Sequence, residues 1–258
     1  IVAVIFLTAV FIWLQRRQMR TTWGDVREGV WLTMIRNGLL KVRGHVDPKN
    51  WRPHILVLSG APTKRWHLIA LTNEIIQNRG LMTVATILPE ESMSQKRILA
   101  MEERIRDYLL NRAIPCLVRV ITAPDPFEGS KRLVEAYGLG TLVPNTILLG
   151  DTQENSHHAA YCDMVAHFFD RQRNVLIVRD SESRGFGKMK RIDVWWGGFK
   201  SNGALMIIIA HMLQRGMEWN NAAIQLNMVV KSEKAATEAR KNIRELISKL
   251  RIQCSINL

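Results

Sequence analysis

The sequence predicts an α/β protein: two doubly wound parallel-sheet units in tandem, the second incomplete, behind an apolar N-terminal segment. Three observations carry this. Short runs that are apolar at every position recur along the chain (HILVLS, TILL, VLIV), and a strand without alternation is one buried on both faces of a parallel sheet. Between these runs lie longer stretches whose apolar residues recur at three- and four-residue steps, the period of a helix packed on a sheet. Glycine and proline punctuate the joins.

The elements follow in order. Ile1 to Leu14 (IVAVIFLTAVFIWL) is almost wholly apolar, and Arg16, Arg17 and Arg20 come directly behind it. A spanning helix needs ~20 apolar residues, and a secretory signal carries its bases in front of the run. The expectation is therefore that residues 1–20 are the end of a last transmembrane helix and its basic junction, held on the cytoplasmic side by those arginines. Residues 21–50 read as an amphipathic connector: Trp23, Val26, Val30, Trp31 and Met34 recur at helical spacing. Trp23 and Trp31 are its candidate interface residues, on lipid, on the domain or on a partner subunit. Gly44, Pro48 and Pro53 end it.

Residues 51–180 form the first α/β unit. Strands are expected at His54–Ser59, Leu81–Leu88, Cys116–Thr122, Thr146–Leu149 and Val175–Val178, and helices at Lys64–Asn78, Ser92–Arg112, Phe127–Tyr137 and Glu154–Arg171. Residues 181–191, polar and basic with two glycines, are the loop between units. Residues 192–258 begin a second alternation: the strand IDVWW, a helix Ala204–Arg215, a strand Ile224–Val230, a helix Glu233–Leu250 and a last strand from Ile252. Pro53–Gly60 and Pro144–Gly150 look alike, each a Pro-led apolar strand running into a glycine turn.

The charge is strongly basic: 36 Lys and Arg against 23 Asp and Glu give +13. The bases are dispersed, without the aromatic-interleaved patch of single-strand binders or a zinc-finger spacing. The reading is a solvated surface facing an anionic inner-leaflet lipid surface, with no nucleic acid partner. Cys116, Cys162 and Cys254 are odd in number and far apart, which suggests reduced, buried thiols.

Ligands of such sheets sit beyond the carboxyl ends of the strands, which makes Ser59, Gly60 and Gly150 the candidate nucleotide-binding residues. Neither GxGxxG after the first strand nor GxxxxGK[ST] is present, so no cofactor is the first expectation and an adenine nucleotide such as ATP the second. His157, His158, Cys162 and His167 share one predicted helix. They lack a second ligand pair nearby, so a buried Cys and half-exposed histidines are expected rather than a metal site. Asp193 interrupts an apolar strand with no partner acid or base beside it in sequence. A structural hydrogen bond to a neighbouring loop is expected, and catalysis is not. Trp195 and Trp196 are adjacent on a strand and so point to opposite faces, one ring into the core and the other outward to a helix or partner.

Three segments resemble a known family. Asn50–Gly60 (NWRPHILVLSG) is similar to the "NWRPQ-LVL-G" opening of the C-terminal cytosolic domain of cation-chloride cotransporters, Pro144–Gly150 (PNTILLG) to its "PNxLxLG" segment, and Ile192–Trp196 with Asn202–Leu205 to its "IDVWW…GGL" stretch. The order matches from about Trp23 to Val230. The resemblance implies a secondary transporter of the amino acid/polyamine/organocation superfamily, with the transmembrane transport domain in the same chain. It also implies a regulatory homodimer of two Rossmann-like, universal-stress-protein-like halves. Where animal members carry an acidic pair before the glycines, this chain has Gly197–Ser201 (GGFKS), which implies a prokaryotic member. The GxxG-x9-G[ST] phosphate clamp of ATP-binding stress proteins is not matched, since Asp151, Thr152 and Gln153 follow Gly150. The expected function is a non-enzymatic cytosolic regulatory and dimerisation domain of an electroneutral Na/K-Cl symporter, on the cytoplasmic side of the cell membrane. The alternatives are a nucleotide-binding sensor and the tail of an amino acid permease.

Overall fold

The computed structural model describes residues 2–16, 26–42, 51–90, 94–152, 154–181, 183–197, 202–250 and 252–257. Trp23, Arg17, Arg20, the 43–50 linker and the turn at 198–201 lie outside the described residues. The chain falls into two compact units. One holds helices α1 (Val2–Arg16) and α2 (Val26–Lys41) with the Leu139–Leu142 turn; the other holds the α/β elements. No described helix is long and apolar enough to cross a membrane. Both helices leave apolar side chains open: Phe6, Phe11 and Trp13 on α1, and Val30, Trp31, Leu32, Met34 and Ile35 on α2. On α2 these residues are consecutive as well as periodic, so its apolar surface wraps more of the helix than one stripe.

The first sheet has five parallel strands in the order β3-β2-β1-β4-β5: β1 (His54–Leu58), β2 (Leu81–Pro89), β3 (Leu117–Ala123), β4 (Thr146–Gly150) and β5 (Asn174–Val178). From β1 to β3 the chain steps in one direction, then returns to lay β4 against the other side of β1. Helices α3 (Trp66–Ile76) and α4 (Gln95–Leu110) cover one face; α5 (Pro126–Ala136) and α6 (His158–Asp170) cover the other. Strand β1 is therefore buried at every position, with Ile55 and Val57 in one core and Leu56 and Leu58 in the other. The two look-alike segments prove to be the paired central strands: Ile55 registers with Thr146, and Asn145 Oδ1 accepts from His54 N at 3.1 Å.

At the sheet's edge the pattern changes. Over Leu117–Val120 β3 alternates exposed and buried, with Arg119 facing out, so one face of this edge strand is partly open. The buried Glu102 of α4 accepts from Val120 N–H at 2.8 Å and lies 3.6 Å from Arg119, so a carboxylate occupies an edge donor that would otherwise be open to pairing.

Element ends differ modestly from expectation. α3 begins at Trp66 and α4 at Gln95, and the segment expected as one helix from Glu154 is a 3-10 turn, Asn155–His157, followed by α6. α5 starts a residue early because Asp125 caps it, accepting from Glu128 N at 2.8 Å, with Pro126 at its first position.

The second sheet has three parallel strands in simple order, β6 (Arg191–Trp195), β7 (Ala223–Asn227) and β8 (Ser255–Asn257), linked by α7 (Gly203–Gln214) and α8 (Glu233–Leu250). One core gathers Val194, Trp196, Ile207, Ala210, Ile224, Leu226, Ile243 and Ile252. The sheet's other face carries Arg191, Asp193, Trp195, Gln225, Asn227, Ser255 and Asn257, and no described element covers it. Helix α7 also packs on α3: Gln77 donates to Met212 O, and Glu218 N–H donates to the buried Glu74 at 3.2 Å. Leu213, Trp219 and Ala222 enter the core beside Ile69 and Ile75. The two sheets are thus layered through a pair of helices.

The cysteine expectation is corrected. Cys162 is exposed on the outward side of α6, and Cys116 and Cys254 are half-buried. An apolar neighbourhood in sequence does not decide which side of a helix a residue takes. Burial pushes the Cys116 thiol up to about 11, against the opposing charge of Arg106.

Candidate functional site: the crevice at the strand-order reversal

Where β1 and β4 separate toward α3 and α6, a crevice of about 990 Å³ opens at the carboxyl ends of the strands. Reversal of strand order causes it: neighbouring strands send their following helices to opposite faces, and nothing fills the gap between. Ser59, Gly60 and Gly150, the three residues expected there, all line it. Gly60 has φ of +61°, which suits glycine. Its carbonyl accepts from Thr86 Oγ1 at 2.6 Å and from the buried Ser59 Oγ at 3.3 Å. Tyr161 OH donates to Gly150 O at 3.0 Å. Burial, then the charge of Asp151, pushes the Tyr161 phenol up to about 12, with Arg65 opposing.

The charged lining was not singled out from sequence. Its carboxylates are largely engaged: Asp125 caps α5, Asp151 lies 3.5 Å from Arg179, Glu154 lies 3.1 Å from His157, and Asp180 lies 3.7 Å from His67. Lys64 and Arg65 line the same crevice with side chains that make no hydrogen bond or ion pair to another described residue, and Arg65 Nη1 comes within 3.6 Å of where a Cβ on Gly150 would stand. The free charge in the crevice is therefore positive and sits at the start of α3, where helix N–H groups also favour an anion. The amide following Gly150 is already used, since Asp151 N donates to Val178 O at 3.0 Å. A signal for Lys64 and Arg65 did exist: both follow the β1 turn, where ligands of this fold collect.

The other candidates lie elsewhere. Trp31 is exposed on α2, and Asp193, Trp195 and Trp196 belong to the second sheet. Trp196 is 5% exposed and Trp195 65%, one ring in and one out. Asp193 is corrected in its partner: it accepts from Arg191 Nε at 2.9 Å and from Asn227 at 3.3 Å, on its own and the adjacent strand rather than a loop. Asn257 donates on to Asn227 at 3.1 Å, so a polar ladder crosses the bare face. The spacing of IDVWW and the later glycine also gains a cause. A Cβ on Gly203 would lie 2.2 Å from the Trp196 ring, so α7 can begin only with glycine under that indole. His157 and His158 are exposed, His167 is half-buried beside Glu135, and no group of three His, Cys, Asp or Glu among the described residues is placed to hold a metal.

Fold and crevice together define an α/β domain of paired parallel sheets with a ligand-sized opening at the strand-order reversal. A sequence model of solute carrier family 12 matches residues 65–187 and 184–257, and the chain belongs to that family. Solute carrier family 12 member 2 of Mus musculus is 25% identical over 187 residues, 69% of this chain. The chain spans about 15% of that relative's length. Among solved structures, the cytoplasmic domain of a prokaryotic cation chloride cotransporter superposes with a TM-score of 0.62 at 13% identity, covering 80% of this chain and 78% of that one. The fold is shared with that domain.

Proposed function

We propose that this chain is the cytosolic regulatory and dimerisation domain of a secondary transporter related to cation-chloride cotransporters, working on the cytoplasmic side of the cell membrane without catalysing a reaction. The observation that carries it is the family match across both α/β units, joined to a fold shared with a cotransporter's cytoplasmic domain. The apolar segment at 1–14 followed by arginines supports attachment to a transmembrane transport domain, and the +13 charge suits an anionic inner leaflet. Electroneutral Na/K-Cl symport is the activity proposed for the whole transporter. Rubidium uptake by the full-length protein that requires external chloride supports this; uptake of amino acids without chloride dependence favours the permease reading instead. Dimerisation is tested by sedimentation of residues 21–258, where a monomer at high micromolar concentration overturns it.

A second reading is favoured by Lys64 and Arg65, unpaired beside Gly60 and Gly150: the crevice takes the phosphates of an adenine nucleotide and reports it to the transporter. Calorimetry with ATP, ADP and AMP tests this. Heat that disappears in Arg65→Gln supports it, and no heat at millimolar ligand removes it.

A further inference from the structure

The crevice of the first sheet holds two kinds of carboxylate. Asp151 lies 3.5 Å from Arg179, a partner charged at every ordinary pH, and Asp125 is spent on the N–H groups that start α5. The other two carboxylates have histidine partners. Asp180, at the end of β5, lies 3.7 Å from His67 Nδ1 on α3, and both side chains are half-buried. Glu154, just before α6, lies 3.1 Å from His157 Nδ1, and the His157 ring is also held edge-on by Phe127 of α5, with centroids 5.7 Å apart. All these groups line one space with Lys64 and Arg65. Tyr161 is the remaining titratable group of the described lining, and burial keeps its phenol protonated up to about pH 12.

Histidine is the side chain that changes charge between pH 8 and pH 5. When both imidazoles are neutral, Glu154 and Asp180 stand as bare carboxylates and offset Lys64 and Arg65. When both are protonated, each carboxylate is balanced by its own partner, and the two cations are left to a ligand. A space of 990 Å³ is about 10 Å across, about one screening length at 0.1 M salt, so every one of these charges is felt throughout it. We propose that the crevice is an acid-gated anion site, which holds a phosphate-bearing ligand on Lys64 and Arg65 when His67 and His157 are protonated and releases it when they lose their protons. This rests on the nucleotide reading of the crevice and adds its control. The two histidines stand on opposite walls, one on the α3 side and one on the α6 side, so the gate acts on the ligand from both faces of the sheet. By linkage, a bound anion in turn strengthens the hold of both histidines on their protons.

The test is calorimetric titration of the 258-residue chain with ATP at pH 8 and pH 6, in the unaltered chain and in variants. His67→Gln/His157→Gln cannot take up the protons, and the unaltered chain is expected to exceed it in affinity by about tenfold or more at pH 6. Comparing the two proteins at each pH cancels the titration of ATP itself. Asp180→Asn/Glu154→Gln carries no bare carboxylate at either pH, and at pH 8 it is expected to bind about tenfold or more tightly than the unaltered chain. A damaged fold would lose affinity there rather than gain it. Arg65→Gln is expected to abolish the heat. Equal pH dependence in the unaltered chain and the histidine variant, or no gain at pH 8 in the acid variant, overturns the proposal and leaves the nucleotide reading standing. No heat from any of these proteins at either pH, or heat that persists in Arg65→Gln, removes the nucleotide reading and the proposal together.

Discussion

The two sheets are built from the same strand–helix–strand units, yet they differ in what they leave open. In the first, a return of the chain past β1 puts helices on both faces, buries the central strands completely and opens a crevice at the reversal. In the second, the three described strands follow in order with no reversal between them, and the polar face they share is largely exposed. Strand order, not strand composition, therefore decides where a ligand-sized space appears. The bare face is stable in water because Arg191, Asp193, Asn227 and Asn257 satisfy one another across it, so its polar groups are not left waiting for a cover.

The contrast can be broken at its strongest point first. Ile147→Ala in β4, at a fully buried position, is expected to cost roughly 2–5 kcal/mol in urea unfolding. Trp195→Ala on the bare face of β6 is expected to cost less than about 1 kcal/mol. Similar losses at the two sites would mean that the second face is covered in solution. Next, Gly203→Ala sets a methyl against the Trp196 ring and is expected to destabilise by roughly 1–3 kcal/mol. The combination Gly203→Ala/Trp196→Leu should recover part of that loss if the indole is the cause. Comparable in size, Glu74→Ala strips the acceptor from Glu218 N–H between α3 and α7 and is expected to cost about 1–3 kcal/mol. Hydrogen exchange should then rise at 217–219 more than in β1.

The smallest effects sharpen the comparison by pH. His54, at the start of β1, has its pKa lowered chiefly by burial, against a raising backbone contact from Val143 and with a further lowering from Arg173. The unfolded chain thus takes up the proton first, near pH 6.5. The stability that neutral His54 contributes is present above that pH and is lost as pH falls below 6.5 toward the lower folded value. His211 on α7 shifts the same way, by burial and then Arg215. His54→Gln is expected to flatten the fall in melting temperature between pH 7 and pH 5, and an unchanged slope would remove His54 from the account. In the crevice, Tyr161→Phe is expected to cost about 1 kcal/mol through the lost bond to Gly150 O. Ultraviolet titration should show the Tyr161 phenol ionising only near pH 12, a step that Tyr161→Phe removes.

Much of this protein could be read from local signals. Uninterrupted apolar strands named the parallel sheets, the Pro-led run ending at Gly60 placed the first turn, and the rule for the ends of strands put Ser59, Gly60 and Gly150 in one opening. These are consequences of period, of glycine and proline stereochemistry and of chain order, all of which operate within a few residues. The tertiary structure decided the rest: that Arg65, just before α3, lies over Gly150, that Asp193 finds Asn227 thirty-four residues on, that Trp196 forbids a side chain at Gly203, and that Cys162 faces water. Each depends on groups far apart in sequence meeting at a few ångströms. The pairing of charges in particular is fixed only when packing sets those distances, because the same arginine is spent beside an acid and free a turn away from one.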